Sequence, residues 1–305
     1  MEINKIIDYY NDNYSCKVFY SKLIHNDKEF YLMYIYNYQI EFDNFSQTFL
    51  KYLPFYVRNQ DQITALNEAQ DLEDQLICRS KSIWNESQLI PNRETKVNGI
   101  YGELFLDYYL RIIKKHKTFI TYANKRAFES SQESKGIDNV IYYIDNKSQI
   151  NICFCEAKFV EGAANAKNSL ICDIEGDQTH IGHVSKKYLN SYFQFIVEKG
   201  VNIDDADKVI MQSFINELNE KLDNGNDFIS VLINKDICVN FLFFAIFNSK
   251  KRTPGELNDY YNKIYEKCEE HVKCIGFNNF KIEIVFIPTE NKTIDIKEEI
   301  DKVYE

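Results

Sequence analysis

Residues 137–159 read Ile137-Asp138-Asn139-Val140-Ile141-Tyr142-Tyr143-Ile144, then Asp145-Asn146-Lys147-Ser148, then Gln149-Ile150-Asn151-Ile152-Cys153-Phe154-Cys155-Glu156-Ala157-Lys158-Phe159. β-Branched and aromatic residues dominate both flanks, and the polar tetrad between them is a turn signal, so the stretch predicts a β-hairpin. Alternate residues of a strand share a face, which puts Ile150, Ile152 and Phe154 on the same side as Glu156 and Lys158. A core-facing apolar row therefore ends in a carboxylate and an ammonium. Charges so placed are costly unless they are paired, hydrogen-bonded or bound to a metal. Function is expected where pattern and charge conflict.

Register decides whether Asp138 joins them. Directly opposed residues of an antiparallel pair point to one face. Asp138 faces the same way as Glu156 only if paired residue numbers sum to an even value, as for Ile144 with Ile150 or Asp145 with Gln149. The site thus requires a three- or five-residue loop, or a bulge, between the strands. A two-residue turn at Asn146-Lys147 would pair Asp145 with Ser148 and turn Asp138 away.

Upstream, residues 95–116 predict a helix apolar around most of its circumference, hence buried on most sides. Glu103 and Asp107 lie four apart on one face of it. Asp107 reads as part of a solvated acidic stripe; Glu103, next to the small Gly102, reads as functional. Residues 62–84 also predict a helix, and 85–92, with Pro91, the connection between an N-terminal α+β and helical subdomain (1–92) and a chemistry-bearing domain (93–305). Residues 15–20, 29–36 and 118–122 are expected as short strands.

Downstream, 163–174 is ambiguous, and 179–199 predicts a helix capped by Thr179. Helices are expected over 204–224 and from Pro254 to about residue 273, with the proline in the first turn. The almost continuous apolar run in 237–248 suits a strand buried on both faces, and 280–287 alternates as a further strand.

The chain has 305 residues, 45% hydrophobic and 15% aromatic, a globular composition able to bury a large core. With no apolar run of membrane-spanning length and no signal-peptide core near Met1, a cytoplasmic protein without membrane association is expected. The eight cysteines form no Cys-x-x-Cys, and Cys153 and Cys155 lie on the strand face opposite Glu156, as small hydrophobes. A net charge of -10 argues against bulk electrostatic attraction to nucleic acid, but leaves room for a local basic groove.

Phosphodiester hydrolysis with Mg²⁺ needs hard oxygen ligands, an activated water and charge to stabilise the transition state. Asp138 and Glu156 offer the carboxylates, the Ala157 carbonyl a neutral oxygen, and Lys158 the positive charge, with Glu103 adding a ligand directly or through water. This helix-strand-strand-strand series, Gly102-Glu103-Leu104, Gly136-Ile137-Asp138 and Cys155-Glu156-Ala157-Lys158, resembles the PD-(D/E)xK nuclease superfamily. Ile137 stands where the motif's name puts proline. The resemblance implies an α/β fold: a restriction-endonuclease-like core, a mixed sheet flanked by helices, here with an N-terminal α+β extension. It also implies divalent metal (Mg²⁺, with Mn²⁺ as substitute) on Asp138 and the Glu156 carboxylate, and assistance from Lys158.

The Gly102-Glu103-Leu104-Phe105-Leu106 helix, the Ser134-x-Gly136-x-Asp138 turn, the Phe154-x-Glu156-Ala157-Lys158 strand and the length together resemble the HamA family. HamA is the nuclease subunit of Hachiman-type bacterial anti-phage systems and works with HamB, a superfamily 2 helicase. That likeness implies a DNA-degrading effector held in check by the helicase. Two other readings compete. His180 and His183, three apart, would share a helix face as metal ligands. Alternatively, the chain is a non-catalytic subunit that keeps the nuclease fold to bind DNA or a partner. The purely structural alternative leaves Glu156 and Lys158 as an edge-strand ion pair, with Asp138 merely starting a strand.

Overall fold

The computed structural model describes residues 18–25, 28–35, 72–85, 99–114, 119–120, 138–145, 149–178, 181–190, 208–225, 227–235, 237–249 and 253–289. In chain order these form β1 (Val18–His25), β2 (Lys28–Ile35), α1 (Leu72–Asn85), α2 (Gly99–Tyr108), a π-helical turn (Tyr109–Ile113), β3 (Phe119–Ile120), β4 (Asn139–Ile144) and β5 (Ile150–Val160). Then follow α3 (Ala163–Glu175), α4 (Lys208–Asp223), α5 (Phe228–Asn234), β6 (Cys238–Asn248), α6 (Pro254–Ile275) and β7 (Phe280–Thr289).

The expected hairpin forms. Ile144 pairs with Ile150 and Asn139 with Cys155, so paired numbers sum to an even value, and the Asp145 N–H donates to Gln149 O at 3.0 Å across a three-residue loop. Continued by one residue, this register sets Asp138 opposite Glu156. β5 is no edge strand. It runs between antiparallel β4 and parallel β6 in a seven-stranded mixed sheet of order β1-β2-β7-β6-β5-β4-β3. The edge-strand ion pair is thereby excluded. β1 and β2 join this sheet through the parallel β2–β7 pair. The 92/93 boundary lies outside the described residues.

β6 is buried along its whole length except for Asn248, as its unbroken apolar run requires, because helices cover both faces of the sheet. One face carries the main core. There Val140, Ile152, Phe154, Val239, Phe241, Ile282 and Ile284 pack with Ala166, Leu170 and Ile174 of α3 and Leu257, Tyr261 and Ile264 of α6. α2 and the π-helical turn that follows it lie on the other face, Tyr109 of the turn tilted against Phe244 at 5.6 Å between ring centroids. The architecture is a mixed α/β sheet flanked by helices, consistent with a restriction-endonuclease-like core.

Pro254 occupies the first turn of α6, whose Thr253 and Glu256 form a capping box. The segment read as ambiguous, 163–174, is helix α3; its apolar residues Ala166, Leu170 and Ile174 fall four apart on the buried side. Two further readings change. Residues 181–185 are not helical: the helical turn begins at Lys186, and Ser185 caps it, its Oγ accepting the Tyr188 N–H at 3.2 Å. The helix expected over 179–199 therefore does not run through 181–185, and Thr179 and His180 lie outside the described residues. Asp107 is not solvated either; it is fully buried and accepts from Asn139 Nδ2 at 3.3 Å. A helix covered on most sides has no wet stripe to offer it.

Candidate active site

Three elements converge at the end of β5. α2 reaches it because Gly102 lacks a side chain: a Cβ there would lie 3.3 Å from Lys158 C and from Phe159 N. Close approach at that point carries the buried Glu103 to the Lys158–Phe159 peptide. β4 contributes Asp138 from the residue before its first pair. Asp138 Oδ2 accepts the Ala157 N–H at 2.7 Å, locking the start of one strand to the Glu156-Ala157-Lys158 segment of the other. β5 itself presents Glu156 and Lys158 on the face shared with Ile152 and Phe154, and the Lys158 Nζ lies 2.9 Å from Glu156 Oε1.

The electrostatics follow from burial and crowding. Burial, then the charges of Glu156 and Glu103, push the Asp138 carboxyl well above the usual range, against the opposing pull of Lys158 and the Ala157 N–H. Burial acts on Glu156 in the same direction. There, however, the Lys158 charge and the His183 hydrogen bond win, and its carboxyl is held below the ordinary value. Burial alone would lower Lys158, but Glu156, Asp173 and Asp138 raise it and keep the ammonium charged. The acidic residues expected from the sequence, Glu103, Asp138 and Glu156, thus act on one another, with Lys158 among them and the Ala157 peptide bound to Asp138.

Two residues complete the cluster. His183 Nδ1 is 3.1 Å from Glu156 Oε2, and its ring stacks on Tyr188 at 4.6 Å. It sits in a turn rather than in a helix, apart from any helical face shared with His180. Asp173 Oδ2 is 2.6 Å from Lys158 Nζ. Burial and the Glu156 charge push the Asp173 carboxyl up to about 6 despite Lys158. Sequence reasoning passed over Asp173. Its one signal is helical spacing, since it lies three and seven residues beyond Leu170 and Ala166, an acid on the buried stripe of α3. Side-chain atoms of Glu156, Asp173 and His183 lie within 4.8 Å of one another.

The donor set suits a hard divalent cation. Glu103, Asp138 and Glu156 supply carboxylate oxygens, and Asp138 is driven away from its ionised form by burial and then by the Glu156 and Glu103 charges, a penalty that a cation would offset. Two basic side chains are taken up by ion pairs: Lys114 pairs with Glu283 at 2.8 Å, and Lys186 with Asp227 at 3.2 Å. No helix among the described residues is long and apolar enough to cross a membrane. No curated protein sequence matches the chain. The HamA family model matches residues 8–304, and the chain belongs to the HamA family.

Proposed function

We propose that this chain is a metal-dependent DNA nuclease, hydrolysing phosphodiester bonds at the Glu103–Asp138–Glu156–Lys158 cluster together with a helicase partner. Membership of the HamA family implies a role in Hachiman anti-phage defence. The observation that carries the nuclease reading is the register of β4 on β5. It puts Asp138 opposite Glu156, and it lets Asp138 bind the peptide N–H of Ala157 between Glu156 and Lys158.

Asp138, Glu156 and the Ala157 carbonyl would hold Mg²⁺ or Mn²⁺, with Glu103 as a further ligand. When bound, the ion supplies a Lewis acid for the phosphate and lowers the pKa of water. The chain's own groups do the rest. Lys158, kept charged by its carboxylate neighbours, places an ammonium where negative charge grows on the phosphoryl oxygens. Asp138, held by the Ala157 N–H, fixes the β4 end of the site relative to β5. Burial of Glu103 and Glu156 lowers the local dielectric and strengthens each of these interactions.

The test is cleavage of a DNA duplex by the full-length chain with Mg²⁺, with and without the neighbouring helicase, for wild type, Asp138→Ala and Lys158→Ala. Loss of about 10²–10³-fold in both variants is expected. Equal activity in all three would refute the assignment, whereas no activity in any, with the helicase present, would favour a non-catalytic binding subunit.

A further inference from the structure

Asp173 and His183 stand outside the Glu, Asp, Glu-x-Lys series, yet each grips one of its members. From Asp173 Oδ2 to Lys158 Nζ is 2.6 Å, from Lys158 Nζ to Glu156 Oε1 is 2.9 Å, and from Glu156 Oε2 to His183 Nδ1 is 3.1 Å. The result is an unbroken chain of alternating acidic and basic groups. Both Glu156 oxygens are contacted by it, and Lys158 Nζ forms ion pairs with two carboxylates.

We propose that Asp173 and His183 are positioning residues for the hydrolysis, Asp173 fixing the Lys158 ammonium and His183 orienting the Glu156 carboxylate by donating from Nδ1–H. This inference rests on the nuclease reading. A lysine side chain is a flexible stem with a point charge at its tip, and a lone partner leaves it several placements. A second carboxylate narrows them. A carboxylate that receives a metal is likewise aimed by the hydrogen bond to its other oxygen, and loss of such an outer partner typically costs about 10–100-fold in metal affinity or activity.

The segment bearing His183 is built to hold it there. Its backbone N–H donates to Asp173 O at 2.6 Å, so one residue of α3 fixes Lys158 through its side chain and His183 through its carbonyl. Gly182 is pressed against the end of the same helix: a Cβ would lie 2.4 Å from Ile174 O and Glu175 C, so any larger residue would force backbone apart. Gly176 and Ile181 pair across the turn. On the far side, Asn190 Oδ1 accepts the Ile229 N–H at 2.9 Å and Lys186 pairs with Asp227, tying the segment to the start of α5.

Glu156, Asp173 and His183 also have the composition of a metal site of their own. The Lys158 ammonium already bridges Glu156 and Asp173, in the place where an ion between those two would stand, which favours positioning over ligation.

The experiment measures Mg²⁺ and Mn²⁺ binding to the full-length chain by calorimetry without DNA, single-turnover cleavage of a DNA duplex with the helicase present, and melting midpoints. The variants are His183→Ala, His183→Asn and Asp173→Asn. His183→Ala is expected to weaken Mg²⁺ binding about tenfold, and His183→Asn, whose amide nitrogen takes the place of Nδ1, to recover to within about threefold of wild type. Asp173→Asn should leave Mg²⁺ affinity within about threefold and slow cleavage about tenfold, a split that a merely structural residue would not produce. Wild-type binding and cleavage in His183→Ala and Asp173→Asn would overturn this inference and leave the nuclease reading intact. Loss in His183→Ala of a Mn²⁺ preference, with no rescue by His183→Asn, would also overturn it, by making the imidazole a ligand. If wild type neither binds a divalent ion nor cleaves DNA, both readings fall.

Discussion

β5 buries polar side chains near both of its ends, and the two ends are built on opposite terms. Near its start, Asn240 Nδ2 donates to Tyr143 Oη at 2.7 Å and to Asn151 Oδ1 at 3.4 Å, while Asn151 Nδ2 donates to Gln149 O at 2.9 Å. These are neutral groups whose donors meet acceptors, a network that closes on itself. Near its end, burial and then the charges of Glu156 and Glu103 drive Asp138 away from its ionised form, against the pull of Lys158. Both ends place polar atoms in the interior, but only the second stores repulsion. Burial is common to both ends; what marks the candidate site is the like charge of Glu156 and Glu103 added to the burial of Asp138.

The largest effect that would break this contrast comes from Asp138→Asn. The amide keeps an acceptor for the Ala157 N–H and removes the repelled charge. We expect cleavage to fall about 10²–10³-fold. Without divalent metal at neutral pH, the melting midpoint should rise, by roughly 1–2 °C for each kcal/mol relieved in a chain of this size. The sign follows from linkage. An acid whose folded pKa is raised costs nothing below its unfolded value, and the full cost is present above its folded value. Added Mg²⁺ should then raise the midpoint of wild type and not of the variant, because only a competent site gains from the ligand. A variant that melts lower than wild type in metal-free buffer would show that Asp138 is a satisfied structural carboxylate.

The opposite end supplies the next test. Asn240→Leu removes the donor to Asn151 Oδ1 and Tyr143, and a buried acceptor left without its partner costs about 1–3 kcal/mol. Chemical denaturation should show that loss, while the cleavage rate per folded molecule stays at the wild-type level. A large fall in cleavage at full folding would mean that the two ends are coupled through β5.

The legible part of this design was the part written in periodicity. The alternation of Ile152, Phe154, Glu156 and Lys158, and the loop length that makes Asp138 face them, are properties of one strand and its turn, and the register bears them out. Glu103 was readable because Gly102 precedes it on an apolar helix. The rest depended on which chain segments meet. Asp107 has the same spacing and charge as a solvated acid, and only the packing of α2 against β4 and β5 turns it inward, onto Asn139. Asp173 and His183 come to Lys158 and Glu156 from two elements that contact β5 only after folding, and the turn at Gly182 breaks the helical pattern expected over 179–199. Helix propensity is a local quantity, and here tertiary contact with the end of α3 overrides it.

Asp227 sharpens the contrast with the smallest expected effect, because it is a carboxylate in the opposite situation to Asp138. Its side chain caps α5, accepting from Ser230 N at 2.9 Å and Ser230 Oγ at 2.6 Å, and it pairs with Lys186 at 3.2 Å. Partial burial raises its pKa, but the Ser230, Lys186 and Asn190 bonds more than offset this and hold it near 2, the reverse of the shift at Asp138. Charge is thus welcome there, and Asp227→Ala should destabilise by about 1 kcal/mol, most of it from the lost cap. The exposed Lys186 pair adds little, since solvent screens it. For a depressed acid, the stabilisation is fully present above an unfolded value of about 3.9 and disappears as pH falls through the folded one. The difference between wild type and Asp227→Ala, measured by denaturation from pH 7 downward, should therefore narrow as pH approaches about 2. In metal-free buffer at neutral pH, removing one aspartate is expected to stabilise and removing the other to destabilise, the opposition that the proposed cation site predicts. Two shifts of the same sign would mean that Asp138 is held by satisfied bonds, as Asp227 is, and needs no ion.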